Sequence, residues 1–231
     1  MDKLVEGIGW YLVFLLSLVL HEAAHSFTAW KLGDPTAREA GLVTLNPYPH
    51  IRREPFGTFV IPILSFIIGG WMAGWGSAPY DPEWARKNPG RSALMSVAGP
   101  AANLLLVLLA FVVMRIGISA GFFLSPHTIY FSHMVDMAWP GRMDAIGFLV
   151  STFFSLNILL FLLNLLPIPP LDGSGVYRLI RGNVGEKISA VLRSPFVAIG
   201  GIMVAWKLID VIYPAAQSLA IKLLYPGVTY M

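Results

Sequence analysis

The chain has 231 residues, of which 56% are hydrophobic and only 13% are charged. Soluble domains carry about 25% charged residues, so this chain has too few charged side chains to cover a soluble fold of its size. The composition excludes a soluble globular protein and indicates an integral membrane protein surrounded by the lipid bilayer.

The formal net charge is +3, and the sequence contains no cysteine. The basic residues neither cluster on one amphipathic element nor alternate with aromatic residues, so we expect no nucleic-acid partner. Without cysteine the chain can form no disulfide and no thiolate metal site. Any metal ion must therefore be bound by His, Asp or Glu.

Five apolar stretches follow one another along the chain. They cover residues 5–30, 56–76, 93–118, 145–166 and 196–213. Each of the first four reaches the ~20 residues that cross a bilayer as a helix. A separate short helix is expected at residues 215–224. The alternating segments typical of a membrane β-barrel are not seen.

These stretches predict an all-α polytopic membrane protein with about four to six transmembrane segments. We expect one membrane domain over residues 1–231. Its core covers about residues 5–180, and a C-terminal membrane segment covers about residues 194–231.

Residues 21–25 have the sequence His-Glu-Ala-Ala-His and lie in the second half of the first apolar stretch. Side chains four positions apart project from one helix face, so His21 and His25 can bind one metal ion together. Glu22 then lies beside the ion, where its carboxylate can accept a proton from water. Three ionisable side chains within five residues are costly in hydrocarbon, which favours a functional role. The alternatives are a polar patch packed against a neighbouring helix and an interfacial helix end.

Two histidines need a third protein ligand, and Asp172 is the best candidate. It follows the fourth apolar stretch, in the segment Asn-Leu-Leu-Pro-Ile-Pro-Pro-Leu-Asp-Gly at residues 164–173. These prolines cannot sustain regular helix hydrogen bonding. Non-helical backbone at membrane depth is tolerated only where it is buried in protein or lines a hydrated cavity. The alternative is that residues 172–173 form a surface turn.

The sequence resembles the site-2 protease family of intramembrane zinc metalloproteases. Three blocks carry the resemblance: the motif at residues 21–25, the Gly-Pro-Ala-Ala-Asn at residues 99–103 and the proline-rich segment at residues 164–173. The resemblance implies a three-helix catalytic core and a minimal form of the family without a PDZ domain. The apolar stretch at residues 56–76 is absent from some members of the family.

The resemblance also implies a role for each matched polar residue. His21, His25 and Asp172 would bind one zinc ion per chain, and Glu22 would be the catalytic base. Asn103 and Asn164 would lie near the site, where they position the substrate backbone or stabilise the oxyanion. Either asparagine could equally form a hydrogen bond between helices.

The remaining polar residues of the apolar stretches have simpler interpretations. Asn157 lies two helical turns before Asn164, and we expect it to form a hydrogen bond between helices. His50, His127 and His133 lie in loops or at helix ends, where we expect solvent or interfacial positions and no metal.

The order of the motifs predicts that the chain returns after the second apolar stretch. For His21, Asn103 and Asp172 to meet at one depth, an even number of crossings must separate residues 30 and 93. Residues 56–76 supply one crossing. We therefore expect a re-entrant hairpin at residues 69–70, or residues 77–91 returning as non-helical backbone that lines a cavity.

Basic residues are unequally divided between the two ends of the predicted helices. Eleven flank the zinc end: Lys31, Arg38, Arg52, Arg53, Arg86, Lys87, Arg91, Arg178, Arg181, Lys187 and Arg193. Lys3, Arg115 and Arg142 flank the opposite end. With residues 77–91 on the same side of the membrane as Lys31, the positive-inside rule places the zinc end in the cytoplasm. We expect the membrane to be that of a prokaryotic cell.

The function favoured by the sequence is metal-assisted hydrolysis of peptide bonds in a transmembrane protein substrate. One rival is a zinc protease that uses a downstream glutamate as ligand, but Glu39, Glu54, Glu83 and Glu186 all lie in polar loops. The rival from another class is a membrane metal transporter or a regulator without proteolytic activity. The sequence leaves the oligomeric state and the identity of the substrate open.

Overall fold

The computed structural model describes residues 2–139, 141, 144–180, 191–192 and 194–228. The helices are, in chain order, α1 (Lys3–Lys31), α2 (Thr36–Glu39), α3 (Pro47–Arg53), α4 (Ile61–Gly69), α5 (Pro82–Lys87), α6 (Pro89–Ser119), α7 (Asp144–Leu165) and α8 (Pro195–Leu224). A π-helical turn, Phe56–Val60, leads into α4, and a 3-10 helix, Asp172–Leu179, follows α7. Strands β1 (Phe123–Leu124) and β2 (Asp136–Met137) pair antiparallel between α6 and α7.

Within the described ranges, α1, α6, α7 and α8 are long and apolar enough to cross a membrane. The predicted all-α polytopic class is therefore confirmed. The separate helix expected at residues 215–224 is wrong, because α8 continues through Pro214 without a break. Pro214 removes one backbone hydrogen bond, but apolar residues on both sides of it keep the helix packed against α7.

The core of the protein is the bundle of α1, α6 and α7. Trp10, Phe14 and Leu18 lie on one face of α1, at the spacing of successive helical turns, and pack with Leu156 of α7. The outer faces remain apolar and uncovered; Phe196 at the start of α8 is 85% exposed. Lipid chains would cover such surfaces in a membrane.

The second apolar stretch forms a hairpin and does not cross the bundle. Gly70 adopts a left-handed conformation (φ +73°) and ends α4, and the following residues run back as extended chain. The Trp75 N–H donates to the Gly57 carbonyl over 3.0 Å. The Asp81 N–H then donates to Oδ2 of Asp34, just beyond α1, over 2.8 Å. The chain thus returns to the end of α1 from which it left, as the order of the motifs predicts.

The return follows the first of the two expected courses, a hairpin at residues 69–70, rather than non-helical backbone over residues 77–91. The extended segment covers residues 71–81, and α5 begins at Pro82. The side chain of Asp81 accepts a hydrogen bond from the Glu83 N–H and so caps the N-terminus of α5. An acidic N-cap followed by proline is a helix start signal, and it ends the extended segment at this point.

Candidate metal centre

His21 and His25 lie one turn apart on the face of α1 that packs against α6. Each residue is 5% exposed, so neither imidazole is solvated by bulk water. The Nε2 atoms of the two rings lie 3.0 Å apart. Helical spacing alone accounts for this pairing, because residues four apart are neighbours on a helix surface.

Asp172 completes a triangle of ligand atoms. Its Oδ2 lies 2.9 Å from Nε2 of His21 and 3.2 Å from Nε2 of His25. These three residues form the group in the described part of the chain that could hold a metal ion. Two imidazole nitrogens and one carboxylate oxygen are a ligand set that catalytic zinc takes, with a further position open for water or substrate.

The hydrogen bonds around the triangle fit a bound cation. Nδ1 of His25 lies 2.7 Å from the Met95 carbonyl, which can only accept, so Nδ1 carries the proton and the neutral ring directs a lone pair from Nε2. That lone pair faces Oδ2 of Asp172, a buried atom that receives no hydrogen bond in the described part of the chain.

One stripe of α6 lies against the two histidines. Met95, Gly99 and Asn103 are spaced four residues apart and therefore share a helix face. Met95 supplies its carbonyl to His25, and Oδ1 of Asn103 lies 2.6 Å from Nδ1 of His21. Gly99 lies between them, and a Cβ there would lie 2.5 Å from Nε2 of His21 and closer still to Nε2 of His25. The glycine is what allows α6 to pass this close to the ligand atoms.

A tight turn and an anchored 3-10 helix place Asp172 at the histidines. A Cβ on Gly173 would collide with the carbonyl oxygens of Leu165 and Leu166, so the turn after α7 requires glycine at this position. Six residues after Asp172, Arg178 binds the 3-10 helix to α6. Its Nη1 donates to Oγ of Ser92 over 2.8 Å and to Oγ of Ser96 over 2.9 Å.

Arg178 also reaches the extended segment. Its Nη2 donates to the hydroxyl of Tyr80 over 3.1 Å, and its guanidinium lies over the Tyr80 ring at 4.9 Å. From the sequence, Arg178 was recognisable only as a basic residue in a loop. Its position six residues after the candidate ligand was the available signal that it anchors that ligand.

Glu22 is buried beside the triangle and contacts the extended segment. The residue is 7% exposed. A Cβ on Gly76 would lie 2.7 Å from Cγ and 2.8 Å from Oε1 of Glu22. The backbone of residue 76 therefore packs directly against the carboxylate that the sequence predicts as the catalytic base.

The structure separates the three asparagines of the sequence analysis. Asn103 is fully buried and contacts His21, so it lies at the site. Asn157 is fully buried and donates to Oγ of Ser17 on α1, as expected of a residue that links helices. Asn164 is half-buried and makes no side-chain hydrogen bond to the part of the chain that the structure describes. Its contact with substrate remains a prediction.

The histidines outside the motif also differ from one another. The solvent or interfacial position expected for His50 is wrong: it is 4% exposed, and its Nε2 donates to the Thr44 carbonyl over 3.1 Å. The short helix α3 buries it against α1, which sequence periodicity over seven residues could not reveal. His127 is exposed, and Nε2 of His133 lies 2.6 Å from Oδ1 of Asp136.

No glutamate of the described residues joins the metal group, so the rival ligand set has no support there. Glu54 instead accepts a hydrogen bond of 2.5 Å from Oγ of Ser77 and closes the hairpin. Glu186 and four of the basic residues in the orientation count lie outside the described residues: Arg142, Arg181, Lys187 and Arg193.

Comparison with known proteins adds independent evidence. The model of peptidase family M50 matches residues 10–206. The chain is 37% identical to "Putative zinc metalloprotease YwhC" of Bacillus subtilis over 182 aligned residues. These residues make up 78% of this chain and 72% of that protein. It is 33% identical over 167 residues to "Putative zinc metalloprotease Rip2" of Mycolicibacterium smegmatis, which covers 72% of this chain and 53% of that protein.

A Rip2 of Mycobacterium tuberculosis is 35% identical over 167 residues, with 71% of this chain and 52% of that protein covered. The chain thus spans about half the length of the Rip2 proteins. No solved structure matches it. The family model extends from α1 to α8 and includes all three candidate ligands, and this breadth shows that the chain belongs to peptidase family M50, the site-2 protease family of metalloproteases.

Proposed function

We propose that this protein is an intramembrane zinc metalloendopeptidase of the site-2 type. It hydrolyses peptide bonds in or near the transmembrane segments of other membrane proteins. One observation carries the proposal: the two histidines and Glu22 are buried, with the half-buried Asp172 beside them, where two membrane-spanning helices, α1 and α6, pack together. A metal-binding site at that depth has direct access to substrates within the bilayer.

His21, His25 and Asp172 would hold one zinc ion per chain. When bound, zinc would lower the pKa of a water molecule toward ~7 and polarise the scissile carbonyl. Glu22 accepts the proton of the attacking water, and the oxygen of that water forms the new bond to the carbonyl carbon. Glu22 then delivers the proton to the leaving amine nitrogen as the C–N bond breaks. The buried position of Glu22 favours these transfers because bulk water does not compete for the proton.

The extended segment supports a substrate that is itself extended. A transmembrane helix hides its carbonyls in internal hydrogen bonds, so it must unwind before hydrolysis. Ala73 and Trp75 direct their N–H groups into the hairpin. In an extended chain the alternate residues point the other way. The N–H groups of Gly74 and Gly76, which donate to no group in the described residues, are therefore available to pair with a substrate strand at Glu22.

A cavity of about 510 Å³ between α1 and α8 supports entry from the membrane. It is lined mainly by apolar and aromatic side chains, including Trp10, Trp71 and Trp206, and by the carboxylates of Glu6 and Asp210. Trp10 lies three turns before His21, so the cavity is separated from the ligand triangle by about 16 Å along the helix axis. It suits an apolar segment that approaches the site along α1.

The distribution of charge supports a cytoplasmic zinc end in a bacterial membrane. Eight of the basic residues assigned to that end lie in the described part of the chain. The structure adds Lys222 to Lys3 and Arg115 at the opposite end, because the Leu224 carbonyl accepts a hydrogen bond of 2.6 Å from Arg115. Eight against three still favours this orientation. The relatives that match are bacterial proteins.

The experiment compares wild type with Glu22→Gln. The amide keeps the size and hydrogen-bonding capacity of the side chain but cannot accept the proton of water. Membranes of cells that express Glu22→Gln in place of wild type should accumulate uncut membrane proteins, which quantitative proteomics would detect. Both forms should bind zinc equally. Identical sets of membrane fragments from the two strains would contradict proteolysis.

A second measurement addresses the rival function. The purified wild-type protein is reconstituted in liposomes that contain a fluorescent zinc indicator. A protease leaves the zinc content of the lumen unchanged, whereas a transporter raises it. Zinc uptake that is equal in wild type and Glu22→Gln would identify a transporter.

A further inference from the structure

A chain of four buried polar side chains connects α1, α6 and α7 behind the ligand triangle. Its members, His21, Asn103, Asn157 and Ser17, are each 5% exposed or less. Nδ1 of His21 lies 2.6 Å from Oδ1 of Asn103. Nδ2 of Asn103 donates to Oδ1 of Asn157 over 2.8 Å, and Nδ2 of Asn157 donates to Oγ of Ser17 over 2.9 Å.

The direction of this chain of hydrogen bonds is fixed at its far end. Nδ2 of Asn157 also lies 2.8 Å from the carbonyl oxygen of Phe153, which can only accept. The amide nitrogen of Asn157 must therefore face Phe153, and its oxygen must face Asn103. The oxygen of Asn157 in turn requires the nitrogen of Asn103, so the oxygen of Asn103 faces His21.

The last member of the chain is then determined. An amide oxygen can only accept, so Nδ1 of His21 must carry the proton. The neutral ring consequently presents the lone pair of Nε2 to Asp172 and His25, which is the form that binds a metal ion. His25 obtains the same form from one backbone carbonyl, that of Met95. His21 obtains it through two side chains, each of which could rotate by 180° if it were not anchored.

We propose that Asn157 is a positioning residue for the metal centre. It fixes the orientation of the Asn103 amide and thereby holds His21 in the tautomer that binds zinc. This inference rests on the metal binding in the proposed function and not on proteolysis. A link between helices would need only one hydrogen bond from Asn157 to either neighbour; the role proposed here requires a donor toward Phe153 and an acceptor toward Asn103 together.

The test measures zinc affinity of the purified full chain by competition with a chelator of known affinity. Asn157→Leu removes both the hydrogen-bond donor toward Phe153 and the acceptor toward Asn103 while keeping a similar side-chain volume. The Asn103 amide then becomes free to rotate. Loss of an outer partner of a metal ligand typically costs about tenfold to hundredfold in metal affinity, and that is the expected loss here. Thr152→Val is the matched control, because Thr152 is equally buried on α7 and its Oγ1 has no hydrogen-bond partner in the described residues. The Thr152→Val protein should bind zinc with the affinity of wild type.

Two further variants separate positioning from packing. Asn157→Asp, with its proton on the oxygen that faces Phe153, keeps one donor and one acceptor and should retain an affinity within about threefold of wild type. Asn103→Leu removes the side chain through which Asn157 acts. In that background Asn157→Leu should cost no more than about twofold further, because the two changes interrupt the same path.

The proposal is overturned if Asn157→Leu binds zinc within about threefold of wild type. It is also overturned if the loss of zinc affinity in the double variant equals the product of the losses in Asn157→Leu and Asn103→Leu. Thermal unfolding of each variant in detergent establishes that it is folded. Should Asn157→Leu not fold, Asn157→Ser, whose side chain is too short to reach Asn103, takes its place with the same expected result. The test measures zinc affinity and uses no cleavage assay, so a protein without proteolytic activity would give the same result.

Discussion

Gly99→Ala should abolish zinc binding while leaving the helix bundle intact. The added methyl group would lie 2.5 Å from Nε2 of His21 and closer to Nε2 of His25. An ordinary contact of a carbon atom begins at about 3.5 Å, so each imidazole would have to withdraw by about 1 Å. Metal coordination tolerates deviations of only about 0.2 Å. The rings cannot satisfy both requirements, and we expect zinc affinity to fall by more than ~100-fold.

The assay for Gly99→Ala is chelator competition on purified protein, combined with metal analysis after dialysis. Gly90→Ala is the matched control, because Gly90 lies in the first turn of the same helix and an added Cβ meets no atom within 4 Å. This control should bind zinc like wild type. Both variants exchange glycine for the better helix former, so a change in helix propensity cannot account for a difference between them.

One result would refute the reasoning for Gly99→Ala. If the variant binds one equivalent of zinc as tightly as Gly90→Ala, then α6 does not approach the histidines as closely as the structure places it. A Gly99→Ala variant without a thermal unfolding transition would be measured again at lower temperature, where the folded protein should still bind no zinc.

Three further predictions follow from the same contacts. Gly76→Ala should lower the rate of cleavage and leave zinc content unchanged, because its methyl group would lie 2.8 Å from Oε1 of Glu22; equal rates would place the extended segment away from the base. Single cysteines at Arg38 and Arg86 in this cysteine-free chain should react with an impermeant maleimide from the same side of the membrane, and labelling from opposite sides would contradict the hairpin. Arg178→Met should lower the melting temperature by roughly 5 °C, through the loss of charged hydrogen bonds to α6 and Tyr80, and an unchanged melting temperature would show that those bonds do not hold the 3-10 helix.

Much of this protein is determined locally by its sequence. The four membrane-spanning helices follow from the length and hydropathy of their apolar stretches, since each must satisfy its own backbone hydrogen bonds in lipid. The pairing of His21 and His25 follows from helical spacing. The inclusion of Asp172 was also predictable, because two histidines leave a metal ion short of protein ligands and the proline-rich segment supplied a carboxylate at membrane depth.

Other features depend on contacts between residues far apart in the chain. The burial of His50, the contact of Gly76 with Glu22 and the anchoring of Arg178 on α6 each require a neighbour that belongs to a different element of the fold. Periodicity describes one element at a time, so it cannot identify the element that will cover a given face. The continuous course of α8 through Pro214 is a similar case, since local propensity alone favours a break.

The hydrogen-bonded pair Asn103 and Asn157 shows most clearly what the sequence determines and what the tertiary structure determines. The sequence by itself determined that polar side chains lie on membrane helices at positions 103 and 157, and that such groups need partners in an apolar environment. Only the tertiary structure decided which atom of each amide donates and which accepts, because the carbonyl of Phe153 imposes a direction that passes through two helices to His21. Hydrogen-bond polarity is a property of the assembled network, and it is absent from any single segment of the chain.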